Sequence, residues 1–168
     1  MELYERLLGE LNIVGEELIA LIRRRKVAAS LARLVPSLDR AAINDLLPDA
    51  SVKTYRRGEI VVREGDPADV MYIVERGSFE VVTEIPRGSG STRLLARLET
   101  GEFFGEMGLI GNAPRSATVR VALDCDEAET LVVGRVAFAR LIEPGAGFRE
   151  RIFLEVGRRI DENRRRGN

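Results

Sequence analysis

The spacing of apolar residues changes twice along the chain. Over residues 1–50, Leu3, Leu7, Leu11, Leu18 and Ile22 recur at helical intervals, which predicts helix. Gly9 and Gly15 weaken this first helix, and a basic run, Arg23-Arg24-Arg25-Lys26, follows it. A second helical pattern passes through Leu31, Leu34 and Val35 and breaks at Pro36. Ser37 is then the expected N-cap of a helix carrying Leu38, Ile43, Leu46 and Leu47, which Pro48 ends.

From residue 51 the period becomes two. Strands are expected over 51–55, 60–63, 70–74, 78–85, 94–98, 118–121 and 130–133. Turns are signalled by Gly58, Gly65-Asp66-Pro67, Gly77, the glycines at 88 and 90, and Gly101. Residues 86–91 read as a hairpin loop. Many short strands at this spacing predict an antiparallel sandwich, barrel or jelly roll. Beyond Gly134 the helical period returns. One helix is expected over 136–142, stopped by Pro144 and Gly145. Another runs from 148 to about 163, with Ile152, Phe153, Val156 and Ile160 on one face and Arg164-Arg165-Arg166 at its end. The expected fold class is α+β: an antiparallel β-roll, jelly-roll-like, between N-terminal and C-terminal helices.

Composition narrows the chemistry. The chain has 168 residues, no histidine, no tryptophan and one cysteine, Cys125. No intrachain disulfide, Cys/His metal site or imidazole base can be built from these residues. Cys125, between Asp124 and Asp126, is expected to be inert. The net charge of −1 gives no overall electrostatic case for nucleic acid. Lys26 and Lys53 are the only lysines, an arginine bias that points to a bacterial source. No apolar run is long enough to cross a membrane, and Glu2, Glu5, Arg6 and Glu10 interrupt the N-terminus, unlike a signal peptide. A cytoplasmic location is expected.

The stretch that carries chemistry is 103–118. A strand ends near Phe104, and Gly105 lets the backbone approach a ligand closely. Glu106 opens a short helix, whose N-terminal amides suit an anionic phosphate. Arg115, nine residues on and preceded by Pro114, can return to the same pocket and pair with a phosphate. Ser116 adds a hydroxyl. Glu106 fits such a site as an acceptor from sugar hydroxyls, so a nucleotide with one compact phosphate satisfies the set.

These residues resemble the cyclic-nucleotide-binding domain family, shared by catabolite activator proteins, cyclic-nucleotide-dependent kinases and cyclic-nucleotide-gated channels. Its cassette, F-G-E-x-(G/A)-L then R-(S/A/T)-A-(T/S), stands here as Phe104-Gly105-Glu106-Met107-Gly108-Leu109 and Arg115-Ser116-Ala117-Thr118. Gly58-Glu59-Ile60, Glu64-Gly65-Asp66-Pro67 and Met71-Tyr72-Ile73-Val74 match its β-roll. The resemblance covers roughly residues 31–160. It implies that Glu106 accepts from the ribose 2′-hydroxyl and that Arg115 pairs with the cyclic phosphate. Backbone amides around Gly105, Glu106 and Ser116 would complete the cradle, with Phe104, Met107 and Ala117 in the cassette around them. Val81, Ala96 and Leu98 would contact the base, and Arg159 and Ile160 on the last helix, the lid, would cap it.

Plainer readings stand beside these. Glu106 and Arg115 alone could form a structural ion pair, Ser116 could cap a turn, and Val81, Ala96 and Leu98 could be core. The run 23–26 reads first as a solvated helix end, with DNA, a membrane surface or a kinase as other contacts. The expected protein is a non-catalytic regulatory sensor with no metal and no cofactor. Its ligand is cAMP, favoured over cGMP. Residues 1–35 form a connector or homo-oligomer contact and 36–168 the binding domain. The lid movement would pass to a partner or an attached membrane channel or transporter. DNA binding is not expected, since the chain stops short of a helix-turn-helix. The rival is a protein-interaction module that kept the fold without the ligand.

Overall fold

The computed structural model describes residues 2–85, 88–143 and 148–166. Eight strands and five helices follow the expected order of helices, strands, helices. Helix α1 spans Glu2–Leu34 and α2 spans Arg40–Leu46. A single 3-10 turn, Leu47–Asp49, leads into β1, Ala50–Arg56. Strands β2 (Ile60–Val62), β3 (Val70–Arg76), β4 (Phe79–Glu84) and β5 (Thr92–Leu98) follow. Then come β6 (Phe103–Phe104), α3 (Glu106–Gly111), β7 (Thr118–Val121) and β8 (Glu127–Gly134). Helices α4 (Arg135–Leu141) and α5 (Phe148–Arg166) close the chain.

The strands form two antiparallel four-stranded sheets, ordered β1-β8-β3-β6 and β2-β7-β4-β5. One apolar cluster fills the space between them, with Tyr72, Val74, Phe79, Phe104, Val121 and Val132 among its members. A second lies on the outer face of the first sheet and joins it to the helices. It includes Val27, Leu31, Met71, Ile73, Phe138 and Ile152. Successive side chains of a strand point to opposite faces, so β3 serves both cores: Met71 and Ile73 face the helices, Tyr72 and Val74 the other sheet. This double burial explains why β3 reads as an unbroken apolar run rather than an alternating one. The second sheet has a wet outer face, and most of β5 is exposed.

Three local expectations change. The first 34 residues hold one continuous helix, not two segments separated by the basic run. The reason is tertiary. Val27, Leu31 and Val35 are buried in the helical core, and Lys26 pairs with Glu129 of β8. Full burial of Leu31 alone contributes about 2 kcal/mol, enough to carry the helix through its charged run. The N-cap of α2 is Asp39, not Ser37: Ala42 N–H donates to Asp39 Oδ1 at 2.8 Å. Leu38 N–H bonds to Val35 O in the preceding turn, which delays the helix by two residues. Finally, α4 starts at Arg135. Asp49, far off in sequence, accepts from Ala137 N–H at 2.8 Å and satisfies one of the first-turn amides. Pro144 and Gly145, expected to stop this helix, lie outside the described residues.

Candidate functional site

The short strand β6 pairs with β3, placing Tyr72 opposite Phe104 and Ile73 opposite Phe103. The chain then turns sharply at Gly105, whose φ of 85° is a left-handed conformation that favours glycine. Space demands glycine there as well. A Cβ would lie 2.4 Å from Arg115 Nη1 and 3.3 Å from Val70 O. Gly108, in α3, is equally confined: its Cβ would meet Ala68 Cβ at 2.2 Å and Ala113 O at 2.9 Å. These two glycines let α3 and the Arg115 guanidinium lie against the end of β3.

Arg115 is held by backbone on both sides. Its N–H donates to Asp66 O and its carbonyl accepts from Gly65 N–H, each at 2.8 Å. The Gly65-Asp66 turn is thus a clasp on Arg115. The side chain, 7% exposed, donates from Nη1 to Gly105 O at 2.9 Å and from Nη2 to Val70 O at 2.8 Å. It lies 5.6 Å from the centre of the Tyr72 ring, which stacks on Phe104 at 4.7 Å. Both hydrogen-bond acceptors are neutral. They fix the guanidinium without cancelling its charge, which leaves it suited to an anion. Burial pulls its pKa below the ordinary value, and the charges of Tyr72, Asp69, Glu106 and Asp66 oppose that.

Glu106 is fully buried. Arg159, reaching in from α5, donates to Glu106 Oε1 at 2.8 Å, to Phe103 O at 2.7 Å and to Glu155 Oε1 at 2.8 Å. Glu106 Oε2 has no hydrogen-bond partner among the described residues. A buried carboxylate oxygen without a donor costs free energy, so this oxygen waits for one. Burial pushes the Glu106 pKa up, with Arg159 pulling the other way. Glu155, nearer solvent, is held below its ordinary value by Arg158 first, with Arg159 also contributing.

Glu106 and Arg115 face one open-mouthed cavity of ≈ 900 Å³, solvent at the mouth included. Phe104, Gly105, Met107, Ser116, Ala117 and Arg159 also line it, as do Val81, Ala96 and Leu98. Val81 and Ala96 are cross-strand partners and form an apolar wall. Leu98 belongs mainly to the core between the sheets, at 4% exposed. Ile160 is absent from the lining and 38% exposed. As α5 lies here, Ile160 therefore stands outside the cavity. At this position α5 turns Arg159 inward, and its neighbour necessarily points about 100° away.

Sequence reading missed three participants. Tyr72 and the Val70 carbonyl position Arg115, yet nothing in the local pattern of β3 marks them. Arg97 also lines the wall, but Asp124, Glu99 and Ser78 engage its guanidinium at 2.9, 2.7 and 2.7 Å. Its charge is answered within the protein, unlike that of Arg115. Among the described residues no group of His, Cys, Asp and Glu could hold a metal ion, and no helix is long and apolar enough to cross a membrane.

Two packed antiparallel sheets, with an arginine and a glutamate lining one cavity beside a glycine turn, define a β-roll with a charged pocket at its edge. The chain belongs to the cyclic nucleotide-binding domain family, whose model matches residues 52–151. It is 34% identical over 134 residues to a cAMP-dependent protein kinase regulatory subunit of Mycosarcoma maydis, covering 79% of this chain and 24% of that protein. Among solved structures, a cAMP-binding acyltransferase from Mycobacterium smegmatis is 28% identical with a TM-score of 0.60, over 73% of this chain and 38% of that one. The regulatory domain of Toxoplasma gondii PKA, solved with cAMP, shares the fold. Its TM-score is 0.64 at 24% identity, over 82% of this chain and 52% of that one. The chain spans about a quarter of the length of the first curated relatives.

Proposed function

We propose that this domain is a non-catalytic sensor that binds a cyclic nucleotide monophosphate, cAMP in preference to cGMP. The observation that carries this reading is that Glu106, fully buried with Oε2 unpaired among the described residues, and Arg115, whose guanidinium bonds to neutral carbonyls, line the same cavity. In this reading the ribose 2′-hydroxyl donates to Glu106 Oε2. Arg115 and the amides of Gly105, Glu106 and Ser116 take the cyclic phosphate, with the Ser116 hydroxyl as a further donor. Phe104, Met107 and Ala117 shape the floor, and Val81 and Ala96 receive the base, with Leu98 behind them. The preference for cAMP draws on the relatives whose names carry that nucleotide.

Arg159 gives the site a route outward. It already bonds Glu106 Oε1, so ligand and α5 share one carboxylate through its two oxygens. Filling the cavity stabilises the docked position of α5 over the undocked one, and that difference in affinity is the whole of the signal. The helices on the first sheet carry it to an attached or associated effector, a membrane channel or transporter among the candidates, at a cytoplasmic location. Residues 1–35 serve as connector and 36–168 as the sensing domain.

Calorimetric titration of the chain with cAMP and with cGMP tests the reading. Micromolar or tighter binding of cAMP, with cGMP weaker, is expected. No heat with either nucleotide at high concentration would leave the fold as a ligand-independent interaction module.

A further inference from the structure

Between Val14 and Leu21, α1 carries an apolar seam that the β-roll does not cover. Val14, Leu18 and Leu21 are 60%, 55% and 48% exposed. In the sequence, Tyr4, Leu7 and Leu11 extend the same alternating three- and four-residue spacing toward the N-terminus, the a/d repeat of a coiled coil. The face that meets the roll, with Val27, Ser30 and Leu31 buried, lies about half a turn away around the helix. From Val14 to Leu21 the seam is therefore open to another helix.

Charge and size together say what covers the seam. The N-terminal half of α1 is acidic at Glu10, Glu16 and Glu17, while the middle is basic at Arg23, Arg24 and Arg25. Of these, Glu16, Glu17 and the three arginines are exposed. A parallel pair in register would set the arginines of two copies beside each other and place Glu17 against Ile22. An antiparallel pair brings Glu17 of each copy to Arg24 of the other. It also places Arg25, the next position of the seam repeat, opposite Val14 of the other helix. Beyond Arg25, the a/d positions toward the C-terminus are small, Ala28 and Ala32. In the antiparallel register they fall opposite sequence positions 11 and 7 of the same repeat. We propose that α1 forms an antiparallel helix pair with a second copy of this chain, crossing near residues 18–21, with Glu17 and Arg24 as its reciprocal ion pairs.

The proposal does not depend on the nucleotide reading, and its test needs no ligand. Sedimentation equilibrium of the full chain at high micromolar concentration should give a dimer. Glu17→Arg and Arg24→Glu should each weaken it about tenfold, and the double exchange Glu17→Arg with Arg24→Glu should restore it. Restoration separates a broken contact from a misfolded chain. Geometry is read by spin labels at Ala29→Cys in a Cys125→Ser background. With a rise of 1.5 Å per residue, the antiparallel pair separates the two labels by roughly 30 Å. A parallel pair would bring them to about 10 Å. A monomer at all concentrations, a dimer with the short distance, or failure of the double exchange to restore assembly would each overturn the proposal.

Discussion

The two charged ends of the cavity are built differently. Arg115 is held by the roll itself: two backbone carbonyls, a clasping turn and the Tyr72–Phe104 stack all belong to the strands and their connections. Glu106 is buried as deeply, but its charged partner is Arg159 of α5, 53 residues away in the chain. The Arg115 end is therefore preset by the roll, without a contact from α5. The Glu106 end is completed only when α5 is in place. In the proposed sensor this asymmetry lets one end capture the ligand and the other register the capture.

The comparison breaks first at Arg115. Arg115→Ala removes the charge from the preset end, and nucleotide affinity should fall about a hundredfold or more, measured by calorimetry. Gly105→Ala attacks the same end through the backbone. The added methyl meets the guanidinium and sits in a left-handed conformation, so a roughly tenfold loss of affinity is expected. A drop of about 1–3 kcal/mol in unfolding free energy should accompany it in denaturant titration. The other end responds more mildly. Arg159→Ala should weaken binding about threefold to tenfold and raise hydrogen exchange in α5 while leaving β6 and β7 protected. Equal exchange changes in both places would erase the distinction between the ends.

The smallest effect concerns pH. The folded pKa of Glu106 is raised above 4.5 by burial, and that of Glu155 is lowered from 4.5 by its arginines. The signs are opposite. Glu106 favours the folded state at acid pH, and this contribution fades as pH rises through its folded value. Glu155 favours folding above 4.5, a contribution lost as pH falls through its depressed value. Carboxyl-carbon NMR titration should place the two midpoints on either side of 4.5. Coincident midpoints would contradict the different environments assigned to the two carboxylates.

Much of this was legible in the sequence, where local pattern and tertiary environment agree. The cassette from Phe104 to Thr118 is one such stretch, since Gly105, Glu106 and Arg115 all act within a few residues of the turn that places them. The strands from residue 50 onward are another, although β8 extends further than its apolar centre because Glu129 and Thr130 are buried too. What was hidden is nonlocal. Asp39 outcompetes Ser37 as a cap because Leu38 is needed in the preceding turn. The continuity of α1 depends on contacts with β8 about a hundred residues on, and the cap of α4 comes from Asp49. Arg159 shows the limit most clearly. The helix and the residue were visible in the chain, but that it turns inward to Glu106 while Ile160 stays outside depends on how α5 lies across β6.

One comparison of ligands tests the two-ended site most directly: the affinity of the chain for cAMP against that for its 2′-deoxy form, which lacks only the hydroxyl assigned to Glu106 Oε2. A charge-assisted hydrogen bond to a buried carboxylate is worth about 1.5–3 kcal/mol, so the deoxy form should bind at least about tenfold more weakly, and Glu106→Gln should narrow the gap. Equal affinities for the two nucleotides would contradict the assignment of Glu106 and with it the asymmetric site.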